Sequence, residues 1–273
     1  MKDFGRRPDS EETSYESARR KSYIAEHYAQ TWLQLAPKYG ISPYHQWVIT
    51  LLSQVKELVV PSQVLDCAAG TGYPFSLGFS RRGWYLYTVD LSEILVRSQV
   101  QRFLEERVPA RCVVGDSELL PFADSIFGLT YCLQATSYFP QLRDALREMG
   151  RVTSPRGVLV FDIMNVLCPS IGISHSLGPL RCALRNAAWV VSARQRARRV
   201  VVEKAASPFP VERALVGSGW DFARLIPPFL PSLAEGRGRV RSRYFLFSPR
   251  LVYVSLRAGN ADGNTWLQGI RLD

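Results

Sequence analysis

The chain's apolar positions come in short unbroken runs separated by stretches of helical period. Residues 64–90 read as a strand, a glycine-rich turn, a helix and a second strand, with Asp66 and Asp90 closing the two apolar runs. A third short strand is predicted over 111–116, a turn leading into an apolar strand over 121–131, a helix over 143–149, and a turn with a fifth strand over 151–165. Ahead of these, 22–38 and 43–57 predict helices. Trp47, Ile49, Leu51, Leu52, Val55 and Leu58 give the second a broad apolar face. After 165 comes a predicted helix over 180–199, where Leu180, Leu184, Ala187, Ala188 and Val191 can share a face. Residues 1–20 are polar and are expected to fray or be disordered. Strands alternating with helices predict an α/β fold, a parallel sheet with helices on both faces. Such sheets bind ligands beyond the carboxyl ends of their strands, beside the first one. Asp66, Gly70, Gly72, Asp90 and Asp116 all fall near such ends.

The stretch 64–90 carries the most specific chemistry. Residues 67–72 are all small, as a turn lying against a ligand must be, and Gly70 and Gly72 permit backbone conformations that a Cβ would block. Asp90, at the tip of the second strand, is placed to accept hydrogen bonds from both hydroxyls of a ribose. A dinucleotide site wants a third glycine, and Tyr73, Pro74 and Phe75 follow Gly72 instead. Asp66 is also a poor neighbour for a pyrophosphate. S-adenosylmethionine has no phosphate; it carries an ammonium, a carboxylate and a sulfonium, and an acid beside the turn suits it. The alternative reading is a tight strand-to-helix turn in another kind of α/β protein.

Downstream segments add to this. LDCAAGTG, TVDLS, GDSELLPFADSIFGLTY and LREMGRVTSPRGVLVFD occur in order over residues 64–165. In these pieces the chain resembles the class I SAM-dependent methyltransferases, nearest to the small-molecule group that includes quinone-ring methyltransferases. One departure is mild: Ser154-Pro155-Arg156-Gly157 stands where the family usually has Lys-Pro-Gly-Gly. The resemblance implies a Rossmann-like fold with a mostly parallel seven-stranded sheet, N-terminal helices, and a helical insertion after the fifth strand. It divides the chain into a tail (1–20), cap helices (21–60), a SAM-binding core (61–165), an insertion or lid (166–209), the end of the sheet (210–257) and a second tail (258–273). The helix over 210–220 and strands over 222–230 and 244–256 belong to that end. By the same resemblance Asp90 takes the ribose, Leu91 flanks the adenine, and Asp116 with Ser117 holds the adenine edge. Ala68 lies in the turn against the ligand, and Leu133 opens the segment 133–137 beneath the reactive methyl. Tyr28 lies against the methionine end, unless Tyr28 and Trp32 are simply core aromatics one helical turn apart. A hydroxyl acceptor needs a base, for which Tyr138, His175 and His45 are the candidates. A lone histidine is more often a structural group.

Composition narrows the class. Of 273 residues 47% are apolar, as in folded globular proteins, and no apolar run is long enough to span a membrane. The first residues mix acids and bases without an apolar segment, so a cytoplasmic protein is expected. Five scattered cysteines read as buried free thiols, and with three histidines a protein metal site is not expected. Cys132 and Cys168 lack the context of a methyltransferase nucleophile. The net charge of +10 is uneven: residues 166–273 hold 16 Arg and Lys against 6 Asp and Glu, which accounts for the whole excess. The arginines of 180–199 fit a lid with a solvated face, contact with an anionic membrane or lipid, or contact with RNA. The function implied is methyl transfer from S-adenosylmethionine to oxygen or carbon of a small, apolar or amphiphilic acceptor. A tRNA or rRNA methyltransferase and a non-catalytic scaffold are the alternatives.

Overall fold

The computed structural model describes residues 10–35, 40–165, 167–169, 208–226 and 250–257. The described strands are β1 (Val64–Cys67), β2 (Leu86–Asp90), β3 (Ala110–Val114), β4 (Phe127–Cys132), β5 (Thr153–Met164), β6 (Trp220–Ile226) and β7 (Arg250–Arg257). They form one sheet in the order β3-β2-β1-β4-β5-β7-β6. β1 to β5 pair in parallel, whereas β7 runs antiparallel to both β5 and β6. The expected mostly parallel sheet with helices on both faces is therefore present.

Successive residues of the central strands alternate between two cores. Val64, Tyr131, Val158, Val160, Val252 and Val254 share one with helix α3 (Pro43–Lys56) and with Phe75 and Phe79 of α4 (Phe75–Ser80). Leu65, Cys132, Leu159, Phe161, Leu251 and Tyr253 share the other with α6 (Leu142–Val152) and α7 (Pro208–Gly217). A strand with helices on both sides is buried at every position and reads as a near-continuous apolar run, and all of β4 is buried. β3, at the sheet edge, has only partly buried and exposed positions. Helix α5 (Glu93–Glu105) connects β2 to β3 and is capped by Ser92, whose side chain accepts from the amide of Leu95.

The N-terminal segment departs from expectation. Residues 10–20 belong to helix α1 (Ser10–Tyr23), continued by a π-helical turn (Ile24–Tyr28) and α2 (Ala29–Leu35). The helix predicted over 22–38 thus begins earlier and is distorted in the middle. Its polar face concealed it: Arg20 donates to the carbonyl of Ser137 at 3.1 Å, and Lys21 pairs with Asp116 and Glu118. Tertiary contacts hold this helix where apolar periodicity does not. The predicted helix over 180–199, His175, the residues 227–249 between the last two strands and the tail 258–273 lie outside the described residues.

Candidate functional site

The sheet order turns at β1, with β2 and β3 on one side and β4 and β5 on the other, and the site opens beyond their carboxyl ends. Asp66 lies in β1, and the chain then takes Ala68, Gly70 and Gly72 through positive φ of 55°, 59° and 72°. Only glycine adopts such φ at no cost; Ala68 pays about 1 kcal/mol for it. Asp90 fixes the turn, its Oδ2 accepting from the amide of Gly70 at 2.8 Å and its Oδ1 from that of Ser92 at 2.9 Å. From α5 the side chain of Gln99 donates to the Gly70 carbonyl at 2.5 Å and accepts from Thr88 Oγ1 at 2.6 Å. Trp32 of α2 lies over the turn, so that a Cβ on Gly70 would sit 3.2 Å from its Nε1.

A cavity of about 550 Å³ runs across these strand ends, within the roughly 300–1,000 Å³ of small-molecule sites. Each described residue nominated from the sequence lines it. Asp66 is buried and accepts from Ser76 Oγ, which also meets the Tyr131 hydroxyl at 3.2 Å. Burial raises its pKa from 3.8 to about 7 against the pull of those hydroxyls, and nearby Asp90 adds to the rise. Burial likewise raises Asp90 to about 6, opposed by the amides of Ser92 and Gly70. Asp116 accepts from the Glu118 amide at 2.8 Å and, with Glu118, holds Lys21 Nζ at 2.6 Å. Leu91 and Ser117 line the same wall.

The other end of the cavity is built by the start of α3, the segment after β4 and Arg250 at the start of β7. Tyr28 and Tyr138 meet there through their hydroxyls, 2.5 Å apart, with ring centroids at 4.8 Å. His45 occupies the third helical position of α3 in a capping box: its Nδ1 accepts from the amide of Ser42 at 3.0 Å. In neutral imidazole that assigns the proton to Nε2, which faces Gln134 Oε1 at 3.4 Å. Burial lowers its pKa, Gln134 opposes this, and the charge of Arg250 lowers it further. His45, nominated from the sequence as a base, thus both caps α3 and lines the cavity. His175 lies outside the described residues. Gln134, next to Leu133, has φ +59° and is held by its amide donating to Asp162 Oδ1 at 2.7 Å.

Sequence reasoning missed Lys21, Gln99 and Arg250, had Gln134 only as part of the segment 133–137, and weighed Trp32 only as core. Lys21 and Trp32 sit on a polar segment that meets the core only through tertiary contacts. Cys67 and Cys132 are buried free thiols whose pKa burial pushes well up. Among the described residues no three His, Cys, Asp or Glu side chains gather as metal ligands, and no helix is long and apolar enough to cross a membrane.

The donor set fits S-adenosylmethionine. Carboxylates flank a turn of small residues, and α4, only six residues long and preceded by Pro74, offers little to a pyrophosphate. Comparison with known proteins agrees. Residues 65–161 match the family described as the methyltransferase domain. A malonyl-[acyl-carrier protein] O-methyltransferase of Erwinia pyrifoliae is 29% identical over 177 residues, 64% of this chain and 61% of that one. The chain spans between 35% and 61% of the length of such relatives. A demethylmenaquinone methyltransferase of Mycolicibacterium paratuberculosis is 31% identical over 162 residues, covering 58% of this chain and 67% of that one. Magnesium protoporphyrin IX methyltransferase of Synechocystis, solved with bound SAH, shares the fold at 13% identity and a TM-score of 0.54, over 88% of this chain and 99% of that one.

Proposed function

Since the chain belongs to the methyltransferase-domain family, we propose that it transfers a methyl group from S-adenosylmethionine to oxygen or carbon of a small, apolar or amphiphilic acceptor. The observation that carries this reading is the Asp66–Gly70–Asp90 cradle opening onto one continuous cavity, large enough for cofactor and acceptor ends together. When bound, the cofactor supplies a methyl group already activated on a sulfonium. The protein's task is then to bind, align and exclude water.

Asp90 would hold the ribose, Leu91 would flank the adenine, and Asp116 with Ser117 would meet its edge. Ala68, Gly70 and Gly72 would let the ligand approach the backbone. Asp66 would serve the methionine end, with Tyr28 against it, and Leu133 would lie beneath the methyl. Trp32 would exclude water from the turn. For a hydroxyl acceptor Tyr138 would take the proton in relay, giving its own to the Tyr28 hydroxyl that it already meets, which in turn releases one to solvent; a carbon acceptor on an electron-rich ring needs less help. The acceptors named for the two relatives, a malonyl-[acyl-carrier protein] and demethylmenaquinone, support a small acceptor group over RNA. The sequence of 180–199, in which leucine, alanine and valine interleave with arginine, supports contact with anionic lipid by a cytoplasmic enzyme.

Calorimetry of S-adenosylmethionine binding to the wild type and to Asp90→Ala tests the cofactor site. The expected result is micromolar affinity, weakened at least tenfold by the substitution. Absence of binding by well-folded wild-type protein would overturn the proposal.

A further inference from the structure

Asp162 of β5 is fully buried, and three donors surround its carboxylate. The Gln134 amide meets Oδ1 at 2.7 Å, the Tyr44 hydroxyl meets Oδ2 at 2.6 Å, and Arg250 Nη1 meets Oδ2 at 3.0 Å. Tyr44 is itself buried, and burial first, with Asp162 close by, pushes its pKa well up, so its hydroxyl stays protonated as a donor. Arg250 differs from the other members of this cluster. It starts β7 opposite Met164, its side chain is 26% exposed, and it lines the cavity.

Lys21 and Arg250 are the cations among the described residues lining the cavity. Lys21 is clamped between two carboxylates at the β2–β3 side. Arg250 stands across β1 from Asp90, on the β5–β7 side, in the company of His45 and Gln134. A guanidinium has five donors in a planar fork suited to a carboxylate. Contact with Asp162 fixes the rotamer of this one, so the fork is organised before any ligand arrives. Its field reaches the cavity, since its charge contributes to the lowered pKa of His45.

We propose that the acceptor carries a carboxylate and that Arg250, oriented by Asp162, receives it. The inference rests on the methyl-transfer reading above and narrows its acceptor class. A carboxylate fits better than a phosphate. Asp66, Asp90, Asp116 and Glu118 line the same cavity and repel a doubly charged guest more strongly than a singly charged one. Arg250 is a specificity-determining residue in this scheme, and Asp162 and Tyr44 are positioning residues behind it.

The test is calorimetry on protein saturated with S-adenosylhomocysteine. Benzoate, octanoate and malonate are titrated, each beside its neutral amide, and octyl phosphate is titrated beside octanoate. At least one acid is expected to bind tenfold or more tightly than its amide. In Arg250→Met that preference falls below threefold while S-adenosylhomocysteine affinity stays within twofold of wild type. Arg250→Lys, which keeps a positive charge beside Asp162, covers the case in which the methionine variant does not fold; it should lose at least threefold of the preference. The inference is overturned if no acid is preferred to its amide, or if the preference survives in both folded variants. It is overturned equally if octyl phosphate binds more tightly than octanoate. A fall in S-adenosylhomocysteine affinity in the variants would assign Arg250 to the cofactor's own carboxylate and overturn it too. Failure of wild-type protein to bind S-adenosylhomocysteine would instead remove the reading on which it rests.

Discussion

Asp90 accepts two backbone hydrogen bonds, which favour its charged form, and still titrates near 6 because burial outweighs them. Asp66, behind it and also buried, titrates near 7. Both values lie above the ordinary 3.8. Between about pH 4 and pH 7 the native protein therefore keeps protons that the unfolded chain has lost, and stability falls as pH rises. The contribution is fully present below the unfolded pKa and gone above the folded one. Glu148 and Glu106 are shifted the other way by Arg151 and Arg81, so the comparison must be with variants. The melting temperature of Asp66→Asn/Asp90→Asn, relative to wild type, should rise between about pH 4 and 7 and then level off. The same titration acts on ligand: if ionised Asp90 accepts the ribose hydroxyls, S-adenosylhomocysteine affinity rises through pH 6 in wild type, and the rise is smaller in Asp90→Asn, where Asp66 still titrates. A pH-independent difference in melting temperature would refute the assignment. The residue types and their spacing were legible in the sequence. Their raised pKa values were not, because desolvation depends on what the fold packs around them.

Among the elements, α6 shows how a local pattern and a distant contact share one side chain. Glu148 and Arg151 lie three residues apart, a pair visible in the sequence. Arg151 also donates to the carbonyls of Leu120 and Phe122 and to Asp124, tying the loop before β4 to the helix, and Glu148 accepts from the Leu120 amide. The pKa of Arg151 is pushed up by Glu148 and Asp124. Arg151→Ala should cost about 2 kcal/mol, the worth of charged hydrogen bonds on a partly exposed side chain. Urea unfolding with an unchanged m-value checks this; a change under about 0.5 kcal/mol would mark the network as a solvated ion pair. The irregular pairing at Gly128 is another long-range matter, since a Cβ there would lie 1.8 Å from the carbonyl oxygen of Pro61. Helix α1 was illegible for the same reason. Its polar face reads as tail until Ser137, Asp116 and Glu118 are placed against it.

At the scale of the molecule, ligand binding at the strand ends should stabilise the whole sheet. A ligand that binds only the native state at a hundred times its Kd adds about 2.7 kcal/mol. For a chain of this size that is a rise in melting temperature of roughly 5–10 °C. S-adenosylhomocysteine is expected to produce it in wild type, and at the same concentration much less in Asp90→Asn; an equal rise in both would place the ligand elsewhere. Among the described residues, Asp66, Asp90, Asp116 and Glu118 outnumber Lys21 and Arg250 in the lining of the cavity, which suits a sulfonium and an ammonium.

The amino-acid sequence alone determined the alternation of strands and helices, the turn between Asp66 and Asp90, and with them the fold and the cofactor reading. These features are local: apolar runs set the strands, and φ > 0 favours glycine at Gly70 and Gly72, where the turn passes close to a ligand. The tertiary structure alone decided what covers that turn and what faces the acceptor. Trp32 of α2 lies over the turn, and Lys21 of α1 pairs with Asp116 and Glu118 in the cavity wall. His45 is engaged at Nδ1 by the helix cap at Ser42. Arg250 comes to the cavity from β7, 88 residues along the chain from its partner Asp162. Contacts at such separation leave no period or spacing in a sequence. They exist only once burial and the order of the strands have brought the partners together.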